Sequence, residues 1–290
     1  METMEEIDWE GMWRKSLEES SWGQRAGKPE YWDERVNQFE GVIKQSNREA
    51  MIMSKLEIEP DYMVLDIGAG PGTVAIPLAK TVKGVTAVEP SKGMLARLKG
   101  NASKHNLTNI AYIDKKWEDI EIGKDIEEGG HDVVIASYSI VMKDIKTTLL
   151  KMNDAAKRSI YIFAGAGQKK AGSSFWATFH KGKPSPDYIY LYNILYQLGI
   201  YANVEIMNSN YDMQFPDLDA AVQHYIRHFK GWMDISSGDN EEKLRAYLSQ
   251  NLVEEDGMLA LKQKLKTAMI WWRKEYENNE LKGGEKERCV

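Results

Sequence analysis

The residues whose types and spacing could carry chemistry lie between positions 64 and 89. Residues 64–73 form an apolar run that passes into a turn with glycines at positions 68, 70 and 72. Glycine permits a tight turn and lets a ligand approach the backbone, because no Cβ stands in the way. Dinucleotide-binding turns place the third glycine one residue later and meet a pyrophosphate. Here Asp66 precedes the turn, and its carboxylate would repel a pyrophosphate but attract an ammonium group.

A second carboxylate, Glu89, stands at the end of the next apolar run. An acid in this position can accept hydrogen bonds from both hydroxyls of an adenosine ribose, and it would repel a 2′-phosphate. The two acids therefore describe a ligand with a free ribose, an amino-acid cation and no required phosphate. S-adenosylmethionine (SAM) has these features, whereas NADP does not. A dehydrogenase that binds NAD stays open as a rival hypothesis.

Short apolar runs alternate with amphipathic segments from position 63 onward. The runs cover 63–67, 84–88, 110–113, 132–136 and 159–164, with helical segments at 73–81, 92–105 and 143–157. Later segments predict a helix at 188–198, a strand near 202–207, helices within 217–252 and a closing strand at 266–272. Strands buried on both faces read as continuous apolar runs, and parallel strands need crossover connections. The predicted fold class is therefore α/β, a Rossmann-like, seven-stranded, mostly parallel sheet with helices on both faces.

Helical periodicity precedes this sheet. Trp9, Trp13 and Leu17 recur every four residues, and a second stripe begins at Trp32, as on one face of a helix. We expect Trp9 and Trp13 to pack against the main domain, while Trp32 either packs likewise or closes over the cofactor together with Tyr31 and Arg35. The predicted domains are an N-terminal helical cap at 1–57, a SAM-binding α/β domain at 58–275 with a helical insertion at about 217–252, and a polar tail at 276–290.

These motifs resemble those of the class I SAM-dependent methyltransferases. The resemblance rests on the glycine-rich turn, the acid after the second strand, the acidic segment after the third strand and Asp132 at the start of the fourth. It implies that Asp66 and the backbone at Gly68 and Gly70 hold the methionine part of SAM, while Glu89 binds the ribose. The remaining residues that it places at the cofactor are Ala69, Pro90, Ser91, Met94, Trp117, Glu118 and Ser137.

Two segments bear on the adenine and the acceptor. The family usually places an acidic and then a small residue at the adenine, where this sequence has Lys116 and Trp117. We expect Trp117 to stack on adenine and Glu118 or Asp114 to receive its exocyclic amine. The fourth strand ends in Ala-Ser-Tyr-Ser, so the Asn/Asp-Pro-Pro-aromatic sequence typical of enzymes that methylate nucleobases or glutamine amides is absent there. The absence of this motif makes a nucleobase or a peptide amide less favoured as the substrate.

Candidates for proton removal are Tyr138, which follows the fourth strand, and His180, since a histidine pKa near ~6.5 suits a general base. His180 lies in the segment 165–186, which is either part of the acceptor pocket or a solvent-facing excursion. His224 and His228 stand four apart and could share a metal, but a surface pair is favoured and no metal site is predicted. His105 and His131 are interpreted as surface positions.

The charge composition bears on which classes of molecule the protein could bind. The 290 residues include 38 basic and 44 acidic ones, a net charge of −6, which disfavours binding to nucleic acid through charge alone. The favoured function is methylation of a small molecule, with an RNA or protein acceptor or a catalytically silent SAM-binding scaffold as alternatives. The one cysteine, the acidic N-terminus and the lack of a long apolar stretch predict a cytoplasmic protein that contacts no membrane. Whether it forms a homodimer stays open.

Overall fold

The structure is a computed structural model, and it describes residues 6–44, 46–167, 183, 185–229 and 238–274. Its strands are β1 (Met63–Ile67), β2 (Gly84–Val88), β3 (Ile110–Ile113), β4 (His131–Ser137), β5 (Ala156–Ala166), β6 (Asn203–Phe215), β7 (Leu252–Glu255) and β8 (Met258–Arg273). They form one sheet with the order β3-β2-β1-β4-β5-β8-β6, and β7 pairs with β8. The strands β1 to β5 run parallel, whereas β8 is antiparallel to its neighbours. The predicted mostly parallel α/β sheet is confirmed, with seven strands in its central order and β7 as an eighth strand paired with β8.

The sheet order places the candidate site. The chain passes from β1 outward to β2 and β3 and then returns to the other side of β1 for β4. Ligands of open α/β sheets bind beyond the carboxyl ends of the strands at such a reversal. Asp66 on β1 pairs in register with Ala87 on β2 and with Ile135 on β4, so it lies at the centre of the sheet beside this position.

Helices cover both faces of the sheet. They are α1 (Trp9–Glu19), α2 (Gly23–Ala26), α3 (Pro29–Asp33), α4 (Val36–Lys44), α5 (Arg48–Met53), α6 (Ala75–Ala79), α7 (Lys92–Lys104), α8 (Ile145–Ala155), α9 (Tyr188–Gln197), α10 (Leu218–Phe229) and α11 (Gly238–Asn251). Leu65 and Ile67 belong to the buried cluster on one face, and Val64 belongs to the cluster on the other. Within the described ranges, no helix is both long and apolar enough to cross a membrane.

The segment before the last strand extends the sheet. The predicted closing strand at 266–272 is only the part of β8 that pairs with β5, because β8 begins at Met258. Its first residues pair with β7 across the turn Asp256-Gly257, where both residues have positive φ. Asp-Gly is the usual signal for a two-residue hairpin, so the sequence did contain a cue for β7. The predicted helical insertion is present as α10 and α11, which share a small core with Phe215 and Leu261.

The N-terminal helices dock on the sheet domain. Trp13 is buried and its Nε1 donates to the Met142 carbonyl oxygen over 2.8 Å. Asp33 at the end of α3 accepts hydrogen bonds from the Ser91 hydroxyl over 2.6 Å and the Gly93 N–H over 2.7 Å. A carboxylate at the N-terminus of α7 is also favoured by the helix dipole. The N-terminal helices are thus attached next to the ends of β2 and β4.

The prediction that His131 lies on the surface is wrong. The side chain is 7% exposed at the start of β4, and its Nε2 lies 2.8 Å from the Thr86 hydroxyl. Its Nδ1 has no hydrogen-bond partner among the described residues. Burial holds the pKa of His131 below its usual value. The polar residue type suggested exposure, but its position between two parallel strands determines its burial.

Candidate functional site

Asp66 is a buried carboxyl group with an unused oxygen. It is 1% exposed on β1, and its Oδ2 has no hydrogen-bond partner among the described residues. Burial, and secondly the nearby Glu89, raise the pKa of Asp66 to about 7, against the effect of the Ala75 N–H. A buried polar atom without a partner is costly. A cationic ligand would supply the missing partner and stabilise the ionised carboxylate.

Glu89 is held by two backbone donors directly after β2. Its Oε2 accepts from the Gly70 N–H over 2.7 Å, and its Oε1 accepts from the Ser91 N–H over 2.8 Å. Burial raises the pKa of Glu89, while these two N–H groups act in the opposite direction. Each carboxylate oxygen can accept more than one hydrogen bond. Glu89 is therefore oriented by the protein and still able to accept two ribose hydroxyls.

The glycine turn needs glycine for steric reasons at its first position. Gly68 has φ +69°, and a Cβ there would lie 2.4 Å from the Cβ of Ser139. Side chains rarely adopt this backbone conformation, because the Cβ clashes with the backbone. The Ser139 hydroxyl in turn donates to the Ile67 carbonyl oxygen. The turn is therefore packed directly against the segment that follows β4.

The N–H groups of the turn are used within the protein. Gly68 and Ala69 donate to the Val88 carbonyl oxygen over 2.8 and 3.1 Å, and Gly70 donates to Glu89. A pyrophosphate site needs such N–H groups as donors to the phosphate oxygens. In this turn these N–H groups already donate to protein oxygens. This argues against a dinucleotide as the ligand and agrees with a ligand that carries an ammonium group.

Ser91 and Met94 support the site from within the protein. Ser91 is fully buried, and its hydroxyl accepts from the Met94 N–H over 3.1 Å as the N-cap of α7. Met94 is also buried, and Pro90 is half-buried between Glu89 and this cap. The chain therefore passes directly from the ribose-binding candidate into a helix that is capped by Ser91 and Asp33.

The stacking predicted for Trp117 is contradicted by the structure. The ring is 2% exposed within the core, and its Nε1 donates to the Thr148 carbonyl oxygen over 3.3 Å. The neighbouring Lys151 Nζ donates to the carbonyl oxygens of residues 117, 118 and 120 over 2.6, 2.9 and 2.8 Å. Trp117 and Lys151 thus anchor the segment after β3 to α8, and the indole offers no face to adenine.

The two acids considered for the adenine amine differ in their surroundings. Asp114 directly follows β3 and raises the pKa of Glu89 through its charge, so it lies near the ribose-binding candidate. Glu118 is exposed and acts electrostatically on Lys151, on the side of α8. Asp114 is therefore the better placed of the two.

The N-terminal helices contribute a wall of the cleft that the sequence did not reveal. Phe39, Ile43 and Arg48 line a cleft together with Asp66, Gly68, Ala69, Gly70, Thr73, Val74 and Ser137. Trp32 packs edge-to-face on Phe39 at 5.7 Å and donates to the Ala26 carbonyl oxygen over 2.8 Å. The structure thus favours packing for Trp32. Phe39 belongs to the apolar stripe that begins at Trp32, but periodicity alone could not tell which member would meet the site.

Tyr138 follows β4 in a strained conformation. Its φ is +56°, which costs a non-glycine residue about 1–3 kcal/mol and is concentrated at functional sites. Its hydroxyl is hydrogen-bonded to Thr267, which lies 3.2 Å from the Ser209 hydroxyl. The Arg48 guanidinium carbon lies 3.9 Å from the centre of the Tyr138 ring. The hydroxyl of Tyr138 is therefore already engaged with Thr267 on β8.

Of the histidine candidates, the structure places only His224, which is not among the described residues that line the cleft. His180 and most of the segment 165–186 lie outside the described residues. His224 packs edge-to-face on Phe215 with 5.4 Å between ring centres, and nothing is described of the His228 side chain. Over the described ranges, no group of three or more His, Cys, Asp or Glu side chains is arranged to hold a metal ion.

Comparison with known proteins agrees with this geometry. Residues 64–159 match the family model described as a methyltransferase domain. A crystal structure of the YcgJ protein from Bacillus subtilis superposes with a TM-score of 0.54 at 13% identity, over 79% of this chain and 98% of that one. At this identity the likeness shows a shared fold. The fold, the turn and the two acids define a class I SAM-dependent methyltransferase.

The match over residues 64–159 supports a class I methyltransferase at family level, with SAM as its cofactor. An uncharacterized protein of Haemophilus influenzae is 29% identical over 251 residues, which are 84% of this chain and 89% of that protein. A 23S rRNA (uracil(1939)-C(5))-methyltransferase of Xanthomonas euvesicatoria is 40% identical over 63 residues, which are 22% of this chain and 14% of that enzyme.

Proposed function

We propose that the protein transfers the methyl group of SAM to a small-molecule acceptor by in-line displacement. The observation that carries this proposal is the pair of buried carboxyl groups at the ends of the adjacent strands β1 and β2. Asp66 has an unused oxygen, and Glu89 is oriented by two N–H donors. An ammonium group and a ribose are the ligand groups that such a pair would bind.

Residues of the cleft and of the neighbouring strand ends fit the cofactor group by group. Asp66 would accept the ammonium group of the methionine part, beside the backbone of Gly68 and Gly70. Glu89 would accept the ribose hydroxyls, and Asp114 would accept the exocyclic amine of adenine. When bound, SAM supplies a sulfonium whose methyl group is the electrophile. The protein lowers the barrier by holding acceptor, methyl carbon and sulfur in line at about 3–3.5 Å.

The cover of the cleft favours a small acceptor. Phe39 and Ile43 line the cleft with apolar side chains beside the turn and Asp66, as suits the binding of a small acceptor. The net charge of −6 opposes the approach of a polyanion, because nucleic-acid binding depends on neutralising phosphates. Ser137 lies at the end of β4 in the same cleft and would face the reacting groups. If the acceptor carries a proton at neutral pH, His180 stays the candidate for its removal.

Two alternatives have different support. An RNA acceptor is favoured by the relative that methylates 23S rRNA, but that similarity spans 14% of the enzyme and does not extend to the rest of it. A catalytically silent scaffold would retain the same cofactor cleft, because a cofactor motif does not establish turnover. Both alternatives keep SAM binding: the first differs from the proposal in the methyl acceptor, and the second differs in having no turnover.

The test measures cofactor binding and product formation together. Purified protein is titrated with SAM by calorimetry, and S-adenosylhomocysteine is then quantified after incubation with small-molecule, RNA and protein acceptors. The proposal expects SAM binding and turnover with small molecules, both reduced at least tenfold in D66A. The matched control is E59A, which removes an exposed carboxylate outside the cleft. Turnover confined to RNA or protein, or SAM binding without any turnover, would reject the small-molecule proposal.

A further inference from the structure

Asp33 links the N-terminal helices to the ribose-binding candidate Glu89 through one serine. The Ser91 hydroxyl donates to Asp33 Oδ1 over 2.6 Å, and the Ser91 N–H donates to Glu89 Oε1 over 2.8 Å. The same Asp33 oxygen accepts from the Gly93 N–H over 2.7 Å. Ser91 is fully buried, so the protein fixes the direction of both of its donors. A side chain on α3 therefore acts on the Glu89 carboxylate through a single residue.

Close packing of α3 on α7 makes this link possible. A Cβ at Gly93 would lie 3.1 Å from the Asp33 Cα and 3.1 Å from Cγ2 of Val36. Glycine at this position lets the backbone of α3 approach the first turn of α7, because no side chain stands between the two helices. The short side chain of Asp33 can then reach the Ser91 hydroxyl and the Gly93 N–H together.

A second set of contacts joins the N-terminal helices to the glycine turn. Asn101 Nδ2 on α7 donates to Glu40 Oε1 on α4 and to the Pro71 carbonyl oxygen, over 3.0 Å in each case. Arg97 on α7 is hydrogen-bonded to Glu40 and donates to Asn37 Oδ1 over 2.6 Å. These contacts hold α4 against α7 and lead to the turn rather than to the ribose-binding candidate. Docking of the helices can therefore be perturbed separately from the link through Ser91.

The charge of Asp33 does not itself favour ribose binding. Burial is the main cause of the raised pKa of Glu89, and the charges of Asp33 and Asp114 raise it further. A raised pKa favours the protonated form, which has less capacity to accept hydrogen bonds than the carboxylate has. Any benefit of Asp33 to this site must therefore come from the hydrogen bonds that its oxygen accepts. An asparagine retains that oxygen and removes the charge, so the two effects can be separated.

We propose that Asp33 is a positioning residue that orients Glu89 toward the ribose by fixing Ser91. This inference rests on the proposed function, because it takes Glu89 as the acceptor of the ribose hydroxyls. Without the oxygen of Asp33, the Ser91 hydroxyl loses its acceptor and the backbone of residues 89–91 relaxes. The Glu89 carboxylate is then less well aligned with the ribose. Recognition of the ribose thus depends on a helix that precedes the sheet domain.

The test combines a change in the protein with a change in the ligand. S-adenosylhomocysteine and its 2′-deoxy analogue are titrated by calorimetry into the wild type, D33A and D33N. D33A should bind S-adenosylhomocysteine about tenfold more weakly, but the analogue only about threefold more weakly, since the analogue has already lost one hydroxyl. D33N retains the accepting oxygen and should stay within about twofold of the wild type for both ligands. The control E34A removes an exposed carboxylate that lies 3.5 Å from Arg35, and it should leave both affinities unchanged.

Two further variants separate positioning from charge and from docking. D33E retains the charge but displaces the oxygen, so it should weaken S-adenosylhomocysteine as D33A does; the contrast with D33N tests the inference even if D33A does not fold. R97A removes the contacts of Arg97 with Asn37 and Glu40, and any loss of affinity should be equal for the two ligands. Equal weakening of both ligands in D33A, or a D33N variant as weak as D33E, overturns the inference.

The wild type distinguishes failure of this inference from failure of the proposed function. A wild type that does not bind S-adenosylhomocysteine, or that binds the 2′-deoxy analogue equally well, rejects the assignment of the ribose to Glu89. A wild type that discriminates between the two ligands, together with D33A and D33E variants that do so equally well, rejects only the role of Asp33.

Discussion

The raised pKa of Asp66 predicts that SAM binding weakens with acidification. In the free protein this pKa is about 7, so the group is mostly protonated at pH 6. A cationic ligand favours the ionised carboxylate and must displace that proton. The apparent Kd then rises about tenfold for each pH unit below the pKa, or about 1.4 kcal/mol per unit. Between pH 7.5 and pH 5 we expect a loss of roughly a hundredfold.

The assay is calorimetric titration of SAM across this range in two buffers with different ionisation enthalpies. At pH 6 the wild type should release close to one proton per SAM bound. The ammonium group of SAM has a pKa of about 7.7–8.0, so it stays mostly protonated between pH 5 and pH 7 and begins to titrate only near pH 7.5. Because the pKa of Glu89 is also raised, D66N serves to separate the two groups. A wild type whose Kd is independent of pH, or a D66N variant with an unchanged pH dependence, would refute the reasoning.

Three further predictions concern stability. The fold raises the pKa of Asp66 from 3.8 to about 7. Ionisation of Asp66 therefore destabilises the native state as pH rises through this range. D66N should be about 2–4 kcal/mol more stable to urea than the ligand-free wild type at pH 8. In G68A the new Cβ would lie 2.4 Å from Ser139, at a residue with positive φ. The substitution should lower the free energy of unfolding by at least about 2 kcal/mol. The control G27A has open space around the new Cβ and should change the free energy of unfolding by less than about 1 kcal/mol. Burial lowers the pKa of His131, so His131 binds a proton less readily in the native state than in the unfolded chain. The free energy of unfolding therefore decreases as pH falls below about 6.5. H131N should lose less stability than the wild type between pH 7.5 and pH 5.5.

Each stability prediction has a result that would count against it. A D66N variant less stable than the wild type at pH 8 would mean that ionised Asp66 is stabilised in the free protein. A G68A variant as stable as G27A would show that the turn can relax away from Ser139. Equal acid sensitivity of H131N and the wild type would assign the loss to other groups.

The sequence predicted the features that depend on local chemistry. The parallel strands were visible because each is a continuous apolar run, and α7 begins at Lys92, where the predicted helical segment 92–105 starts. The Asp66 and Glu89 positions followed from the same pattern, since each stands at the end of an apolar run beside a turn. Such signals lie within about ten residues of the feature that they determine.

The features that were missed depend on contacts distant in sequence. Trp117 is buried among core residues distant in sequence, and a carbonyl oxygen on α8 accepts its indole N–H; no local pattern reveals these contacts. Arg48 reaches the cleft because its neighbour Asn47 is hydrogen-bonded to Asn210 on β6, which is distant in sequence. The extra length of β8 depends on β7 and β6 as partners. Composition could identify these residues as candidates for packing or charge but could not determine what they contact.

The most direct test of the central claim is a crystal structure of the protein with S-adenosylhomocysteine. The account predicts that the ligand's ammonium group lies within hydrogen-bond distance of Asp66 Oδ2 and that both ribose hydroxyls donate to Glu89. A ligand bound elsewhere, or bound in this cleft with its ribose away from Glu89, would contradict it.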